Sequence, residues 1–319
     1  MGTSMINPSI SVVMPVFNTQ EYLKEAIESV LAQDYTNFEL IVVNDGSWDG
    51  SQVIIDYYHN LDRRIKKVWQ ENRGLSSARN RGMDLAAGKY IYFMDSDDRV
   101  EPNLLSQALK VLESSNAEFT FFDGASFSDD FDLSQRRDLN QYKRSLTIPA
   151  LVKPGYQMFK ELLDNGEYFS SVCLLVIRRA FLTDNAIRFK EGALHEDEWF
   201  TSVLFLEARR VIYIPNRLFW RRYRTNSIMT RSFSMENMNA YLQTAEDLLA
   251  FYKRDETEKR QLVKRYVTLM LNAALRKGYQ LDMLARIKLL KRTVMRFPML
   301  ISAKTAMILL LKSKVEKDG

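Results

Sequence analysis

The chain has 319 residues, of which 46% are apolar, enough for a sizeable core in two units or in one domain with an extension. Its single cysteine, Cys173, excludes an intramolecular disulfide and a thiolate zinc cage. The net charge is only +5, with the basic excess mostly in the last third, and we expect no nucleic-acid partner. We also expect no secretory signal, so a cytoplasmic protein is predicted.

The first 120 residues alternate between strand and helix patterns. Apolar residues at helical spacing, such as Leu23, Ala26 and Ile27, separate short apolar runs that are typical of buried strands. Alternation of this kind favours parallel strands joined by right-handed crossovers. The predicted strands are Ile10–Val16, Phe38–Val43, Ile65–Trp69, Tyr90–Met94 and Ala117–Phe122, with helices after Asn18, from about Ser51, over Leu75–Ala87 and over Leu104–Leu112.

Polar side chains follow four successive predicted strands. They are Asn18, Asp45, Asn72 and Asp95. In a parallel sheet those strand ends share one edge, so the four side chains are expected to converge on one crevice. Taken singly, each is also an ordinary turn residue.

Three carboxylates occupy four positions in Asp95-Ser96-Asp97-Asp98, directly after a buried strand. Crowded carboxylates repel one another and gain from a divalent cation, and an all-oxygen cluster suits Mg²⁺ or Mn²⁺ together with substrate phosphates. The cluster therefore predicts a metal–diphosphate site. An acidic turn after a strand is the alternative.

Beyond residue 122 the pattern is less regular. Residues 126–147 are polar and without a clear period, and are predicted to form a mobile loop or an irregular insert. The predicted elements that follow are a helix at Tyr156–Leu163, a strand at Val172–Ile177, a helix at Glu196–Leu206, strands at Val211–Ile214 and Leu218–Tyr223, and a nearly all-helical region beyond Met235.

Six motifs in order resemble those of family 2 glycosyltransferases: Met14-Pro15-Val16-Phe17-Asn18, Val43-Asn44-Asp45-Gly46-Ser47, Asn72-Arg73-Gly74, Ala78-Arg79-Asn80-Arg81-Gly82, Met94-Asp95-Ser96-Asp97-Asp98 and His195-Glu196-Asp197. The resemblance covers roughly residues 8–225. It implies the α/β GT-A fold, a mostly parallel central sheet flanked by helices, and an inverting, nucleotide-sugar-dependent enzyme. We predict a glycosyltransferase domain at 8–234, with its nucleotide-binding half at 8–122 and its acceptor and catalytic half at 123–234, and a helical extension at 235–319.

The resemblance assigns the donor pocket to residues near the strand ends. Pro15 and Asn18 would line the nucleotide pocket, and Asp45 would hydrogen-bond the base, usually uracil. Arg79 would face the diphosphate. Asn72 joins them at the predicted crevice.

The resemblance assigns the chemistry to acidic residues. Asp95, with Ser96, would lie near the ribose or the metal, and Asp97 would bind Mn²⁺ or Mg²⁺ directly. Asp197 matches the base that deprotonates the acceptor hydroxyl. A free Asp titrates near ~3.9 and an effective base near the working pH, so the pKa of Asp197 needs raising. Without the resemblance, the segment His195–Glu198 would be interpreted as the acidic start of a helix.

Three further features allow more than one interpretation. Arg222 and Arg224 lie in a basic, aromatic strand and are candidate clamps for the diphosphate; charges that protect an edge strand are the alternative. His195 could be a metal ligand, an acceptor contact or a structural hydrogen-bonding residue. The Gln-x-x-Arg-Trp motif and the membrane spans of processive synthases are not found, which favours transfer of one sugar per encounter.

The basic tail contains a predicted amphipathic helix. Ile287, Leu290, Val294 and Phe297 mark one face, and lysines and arginines populate much of the rest. Such helices bind anionic membrane surfaces, but the apolar face could instead pack on the catalytic domain or form a homodimer. We therefore predict a cytoplasmic protein, with peripheral contact at the inner face of the plasma membrane as one role for the tail.

The predicted function is transfer of one sugar from a nucleotide sugar, most simply a UDP-sugar, to a hydroxyl of a glycan or lipid-linked acceptor in cell-surface polysaccharide biosynthesis. A sugar nucleotidyltransferase would share the sheet and the metal, but usually has a Gly-rich loop after its first strand, where Val16-Phe17-Asn18-Thr19 has no glycine. A non-catalytic nucleotide-sugar-binding protein is a third possibility. A glycosidase is disfavoured because its paired acids need no metal–diphosphate site.

Overall fold

The first two strands of the chain form where apolar runs are buried on both faces, as parallel strands covered by helices require. The computed structural model describes residues 7–129, 133, 142–145, 151–224, 233–253 and 258–312. Most of the insert predicted at 126–147 therefore lies outside the described residues. The strands are β1 (Ile10–Val16), β2 (Phe38–Asp45), β3 (Ile65–Gln70), β4 (Tyr90–Phe93), β5 (Arg99–Val100), β6 (Phe119–Phe127), β7 (Leu175–Arg178) and β8 (Val211–Arg222).

Helices form where apolar residues recur at helical spacing, as at Leu23, Ala26, Ile27 and Val30, which are all buried. Those before β8 are α1 (Gln20–Leu31), α2 (Ser51–Leu61), α3 (Leu75–Leu85), α4 (Leu104–Ser115), α5 (Gly155–Asp164), α6 (Arg179–Asp184) and α7 (Glu196–Glu207). Those after it are α8 (Met235–Phe251), α9 (Glu258–Lys277), α10 (Met283–Arg296) and α11 (Ala303–Leu311).

The strands form one sheet in the order β3-β2-β1-β4-β7-β6-β8-β5. The neighbouring pairs β1–β2, β2–β3, β1–β4 and β6–β8 are parallel, whereas β7 is antiparallel to both β4 and β6, and β5 to β8. The predicted α/β fold with a mostly parallel sheet flanked by helices is confirmed.

The chain divides into two units. The first is Met1–Gly192 with Glu196–Thr225, and the second is Ala193–His195 with Asn226–Gly319. The domain boundaries predicted from the sequence, 8–234 and 235–319, stay a prediction.

Three local predictions differ from the structure. The strand predicted at Val172–Ile177 begins only at Leu175, because Val172–Leu174 form a 3-10 turn. The two strands predicted after residue 210 are one strand, β8, whose pairing with β6 continues past its exposed middle through a shift in register. Asp45, predicted to follow its strand, is the last residue of β2.

The second unit is helical, as predicted. The side chain of Ser234 accepts a hydrogen bond from the Asn237 backbone at 3.3 Å and so caps α8. In α10 the buried face contains Leu289 and Thr293, and Ile287 from the predicted packing face is instead 50% exposed. None of the described helices is long and apolar enough to cross a bilayer.

Candidate active site

The carboxyl ends of β1, β2 and β4 meet at one edge of the sheet, since the three strands are parallel neighbours. Asn18 follows β1 with φ at 52°, a left-handed conformation that asparagine tolerates. Its Oδ1 accepts a hydrogen bond from the Trp48 backbone at 3.0 Å, and its own N–H donates to Ser47 Oγ at 3.1 Å. Asn18 thus ties the loop after β1 to the loop after β2. Pro15, opposite Val43, is buried inside β1.

Asp45 organises the loop that follows β3. Its Oδ1 accepts from the Arg73 backbone and from Gln70 Nε2 at 2.9 and 2.7 Å, and its Oδ2 accepts from the Gly74 backbone at 2.9 Å. Asn72 donates to the Asp45 carbonyl at 3.1 Å. The predicted contacts of these residues with a base stay predictions.

Arg79 joins three carboxylates. Its Nη1 donates to Glu196 and Asp197 at 2.7 and 2.9 Å, and its Nη2 donates to Asp95 at 2.8 Å. The side chain is 2% exposed. Burial alone would lower the pKa of Arg79, but the carboxylates outweigh it and raise that pKa well above its usual value.

Arg79 is held in this position by close packing of α3 against the sheet. A Cβ added to Gly82, one turn along α3, would lie 2.2 Å from Val13 Cγ1 of β1. Only glycine allows this approach, so the Arg-Asn-Arg-Gly motif has a packing role as well as an electrostatic one.

The acidic cluster after β4 contains carboxylates with opposite pKa shifts. Burial raises the pKa of Asp98 well above its usual value and also raises that of Asp97, in each case with repulsion from neighbouring aspartates. Burial would raise the pKa of Asp95 too, but Arg79 and Arg221 together lower it.

Two of the three cluster side chains are open to solvent. Asp95 and Asp97 keep 25% and 22% of their side-chain surface exposed, whereas Asp98 is buried and accepts from the Arg222 backbone at 2.8 Å. Ser96, between them, shares a hydrogen bond with Thr19 Oγ1 at 2.9 Å. Asp95 and Asp97 are therefore the cluster carboxylates that a bound cation can reach.

The two predicted clamp residues lie in different surroundings. Arg224 donates from Nε to Asp97 Oδ2 at 3.0 Å. Arg222 is buried, donates to the Asp97 carbonyl at 2.9 Å, and also pairs with Glu25. Arg222 thus contacts the backbone of the acidic loop. A clamp role for either arginine stays a prediction.

Asp197 has the pKa expected of a general base at neutral pH. It lies in the first turn of α7, where Oδ1 accepts from Arg79 and Oδ2 accepts from the Val172 backbone at 3.2 Å. Burial raises its pKa to about 7, opposed by Arg79 and assisted by repulsion from Glu196 and Asp95. Its side chain keeps 20% of its surface exposed to solvent.

The donor set fits a hard divalent cation. Among the described residues, one group of acid and thiol ligand atoms lies within 4.8 Å of one another: Asp95, Asp98 and Cys173. Burial raises the pKa of the Cys173 thiol well above its usual value. A protonated thiol is a poor ligand and Asp98 is buried, so Asp95 is the accessible carboxylate of this group. Asp97, the predicted direct ligand, is not in the group. Carboxylate oxygens such as those of Asp95 suit Mg²⁺ or Mn²⁺.

His195 belongs to the second unit and has a structural environment. Its Nε2 hydrogen-bonds Asn237 Nδ2 at 3.2 Å, and its ring stacks on Tyr241 with centroids 4.3 Å apart. Burial, with Lys277, lowers its pKa to about 4, so the imidazole is neutral at physiological pH. Of the three interpretations from the sequence, these contacts favour the hydrogen-bonding one.

Glu196, which belongs to the predicted His195-Glu196-Asp197 motif, shares Arg79 with the predicted base. Two further residues were assigned no role from the sequence: Cys173, which lies against two aspartates, and Arg221, which together with Arg79 lowers the pKa of Asp95. Arg221 and Arg222 are adjacent in β8, so their side chains point to opposite faces of the sheet. Which of them points to which face depends on the pairing register of the strand, and periodicity alone could not predict that register.

Comparison with known proteins identifies the family of this chain. A family model described as "Glycosyl transferase family 2" matches residues 11–183. The chain is 30% identical over 227 residues to "Glycosyltransferase GlyA" of Streptococcus pneumoniae serotype 4, a match that covers 70% of this chain but only 32% of that relative.

Two solved structures share the fold. S. aureus TarS 1–349 in complex with UDP-GlcNAc has a TM-score of 0.69 at 20% identity. The match covers 94% of this chain and 84% of the TarS chain. The mannosyltransferase PcManGT from Pyrobaculum calidifontis, in complex with GDP-Man and Mn²⁺, has a TM-score of 0.58 at 16% identity. The match covers 98% of this chain and 89% of the PcManGT chain. The expected GT-A fold is confirmed, and the chain belongs to glycosyl transferase family 2.

Proposed function

We propose that this chain is an inverting glycosyltransferase that moves one sugar from a UDP-sugar to a hydroxyl of a glycan or lipid-linked acceptor, in cell-surface polysaccharide biosynthesis. The observation that carries the proposal is the link between two carboxylates at one sheet edge. Arg79 bonds both Asp95, in the predicted metal site, and Asp197, the predicted base. Family membership and the nucleotide sugars bound by TarS and PcManGT support the same reading.

Asp197 would act on the acceptor. In a single displacement the acceptor oxygen attacks the anomeric carbon as the bond to the nucleoside diphosphate breaks, and the hydroxyl proton must leave at the same time. With a pKa of about 7, the Asp197 carboxylate can take that proton near neutral pH. The N–H of Val172 and the guanidinium of Arg79 fix the orientation of the carboxylate.

Asp97 and Asp95 would hold Mn²⁺ or Mg²⁺ with the donor diphosphate. Such an ion neutralises the charge that develops on the leaving diphosphate. Asp97 now pairs with Arg224, so we infer that this guanidinium releases the carboxylate when the ion binds. Pro15, Asn18, Asp45, Asn72 and Ser96 would line the remainder of the donor pocket.

Calorimetric titration with UDP, with and without Mn²⁺, tests the metal site. The wild-type chain should bind UDP much more tightly with Mn²⁺, and Asp97→Ala should lose that gain while still unfolding cooperatively. Asp84→Ala is the matched control, since Asp84 is also an arginine-paired aspartate, with Arg188 at 2.8 Å, and should keep the gain. Equal UDP affinity of the wild type with and without the ion would contradict the metal site.

A further inference from the structure

Exposed apolar side chains are concentrated near the end of the described chain. Of the 18 large apolar side chains exposed among the described residues, eight lie within the 29 positions from Met283 to Leu311. Leu284 is 70% exposed, Met295 73% and Met299 97%. Scattered exposed apolar residues are ordinary, but a cluster marks a binding surface.

Several exposed residues of α10 lie on one side of the helix. Successive members of one set of exposed residues are three or four positions apart and therefore share a face: Leu284, Ile287, Lys291 and Met295. We call these four residues and the adjacent Lys288 the α10 face. The buried side of the same helix contains Leu289 and Thr293 and packs within the second unit. Packing of this unit thus accounts for one side of α10 and leaves the apolar residues of the other side in solvent.

The charge along α10 and α11 is mostly positive. Asp282, the acid nearest in sequence, is exposed and caps α10 by accepting a hydrogen bond from the Ala285 backbone at 2.9 Å. The segment Met283–Lys312 contains seven lysines and arginines and no aspartate or glutamate. Arg286 is buried and donates to backbone carbonyls, among them that of Lys312 at 2.9 Å, and Arg296 pairs with Glu246 at 3.0 Å. Lys288 and Lys291 are exposed beside the apolar residues.

This composition selects one kind of partner. If two copies met face to face through the α10 face, lysines would oppose lysines, which disfavours a symmetric dimer. The surface of an anionic membrane offers both an apolar layer for leucine, isoleucine and methionine and negative headgroups for lysine, whose aliphatic stem can lie along the apolar layer.

We propose that the α10 face binds the surface of membranes containing anionic lipid, with the helix axis in the plane of the interface. The apolar side chains enter the boundary between headgroups and acyl chains, and Lys288 and Lys291 contact the headgroups. This inference does not depend on the proposed sugar transfer, because it uses neither the acidic site nor the donor.

Co-sedimentation of the full chain with vesicles tests the proposal. The chain should bind vesicles of phosphatidylcholine and phosphatidylserine, bind those of phosphatidylcholine alone far less, and dissociate as salt rises, because salt screens the headgroup charge. Lys288→Ala with Lys291→Ala should weaken binding to anionic vesicles roughly 30-fold, from the usual contribution of each basic residue near a charged surface.

Apolar variants separate membrane binding from charge attraction alone. Leu284→Ser with Met295→Ser should also weaken binding to anionic vesicles, whereas Val53→Ser with Leu61→Ser, on residues 73% and 65% exposed in α2, should leave it unchanged. Thermal melting and far-UV circular dichroism establish that each variant is folded. Failure of the intact chain to bind anionic vesicles, equal binding to neutral ones, or concentration-dependent self-association that only the α10 variants abolish would overturn the proposal.

Discussion

Charged residues are arranged in opposite ways in two regions of this chain. At the acid-rich edge of the first unit, a 2% exposed Arg79 is shared by three carboxylates, and burial with these neighbouring charges shifts the pKa values of Arg79, Asp95 and Asp197. On the α10 face, Lys288 and Lys291 are exposed in a segment without acids. Substitution of a buried, shared charge should therefore disturb several groups together, whereas exposed charges should act independently.

The largest effect is expected from Asp197→Asn. The amide keeps the shape and can still accept from the Val172 backbone, but it cannot take a proton. Sugar transfer should fall by roughly 10²–10⁴, measured as UDP release with acceptor present, while calorimetry should show nearly unchanged donor affinity.

Glu196→Gln is the matched variant for this experiment, because Glu196 shares the same Arg79 nitrogen as Asp197. It should keep far more activity than the Asp197 variant. If the Asn variant transfers sugar at a near wild-type rate, Asp197 is not the base and Glu196 becomes the candidate. A chain that binds the donor but gives no transfer in the wild type would instead be a binding protein.

Arg79→Met should cost the most stability. It leaves Asp95, Glu196 and Asp197 without their shared cation, and removing one partner of a buried ion pair typically costs about 3–5 kcal/mol. Urea unfolding measures the loss. Arg188→Met provides the control, since Arg188 and Asp84 form an ion pair with both side chains 48% exposed, and it should cost no more than about 1 kcal/mol. Equal losses for the two variants would remove the distinction between shared and isolated charges.

The pH dependence of transfer follows from the same carboxylate. Because burial raises the pKa of Asp197 to about 7, the base is increasingly protonated below that pH. With saturating donor, the rate should fall about tenfold per pH unit in the acid range. A rate that stays constant from pH 7 to about pH 5 would show that no group with this pKa acts as the base.

The contribution of Asp197 to the free energy of unfolding should fall as the pH rises, whereas the transfer rate should increase. The folded pKa of about 7 lies above the ordinary value of 3.8, so between those values the folded state holds a proton that the unfolded state releases. The contribution of Asp197 to stability is therefore complete at low pH and is lost as the pH rises to 7. Comparing urea unfolding of the wild type and Asp197→Asn across this range isolates that contribution from those of the other carboxylates.

The sheet edge could be predicted from the sequence because its signals are local. Apolar runs gave the position of each early strand, and β1 was predicted residue for residue at Ile10–Val16. Parallel pairing then brought Asn18, Asp45 and Asp95 to one edge. Family resemblance, not periodicity, singled out Asp197, since an acidic start to a helix is ordinary by itself.

The interactions within the site could not be predicted, because they depend on contacts between distant parts of the chain. The bonds from Arg79 to Glu196 and Asp197 span 117 and 118 positions. The 3-10 turn that presents the Val172 N–H replaces a strand that its apolar residues predicted. In the tail, the helix was predicted but not which side it buries, since a helix with apolar residues on both sides gives no unique packing face.

The smallest effect is expected on the α10 face. Lys288→Ala and Lys291→Ala should each change the free energy of unfolding by less than about 0.5 kcal/mol, because exposed side chains away from caps and ion pairs contribute little. The double variant should equal the sum of the single ones within about 0.5 kcal/mol, because exposed like charges three positions apart on a helix interact by no more than about that amount. Urea unfolding of the three variants checks this.

A loss well above the sum would show that these lysines are coupled like the charges around Arg79, and that the contrast between the two regions does not hold. If the losses are small and additive, weaker vesicle binding by the same double variant reports on the surface itself, because the fold that presents it is unchanged.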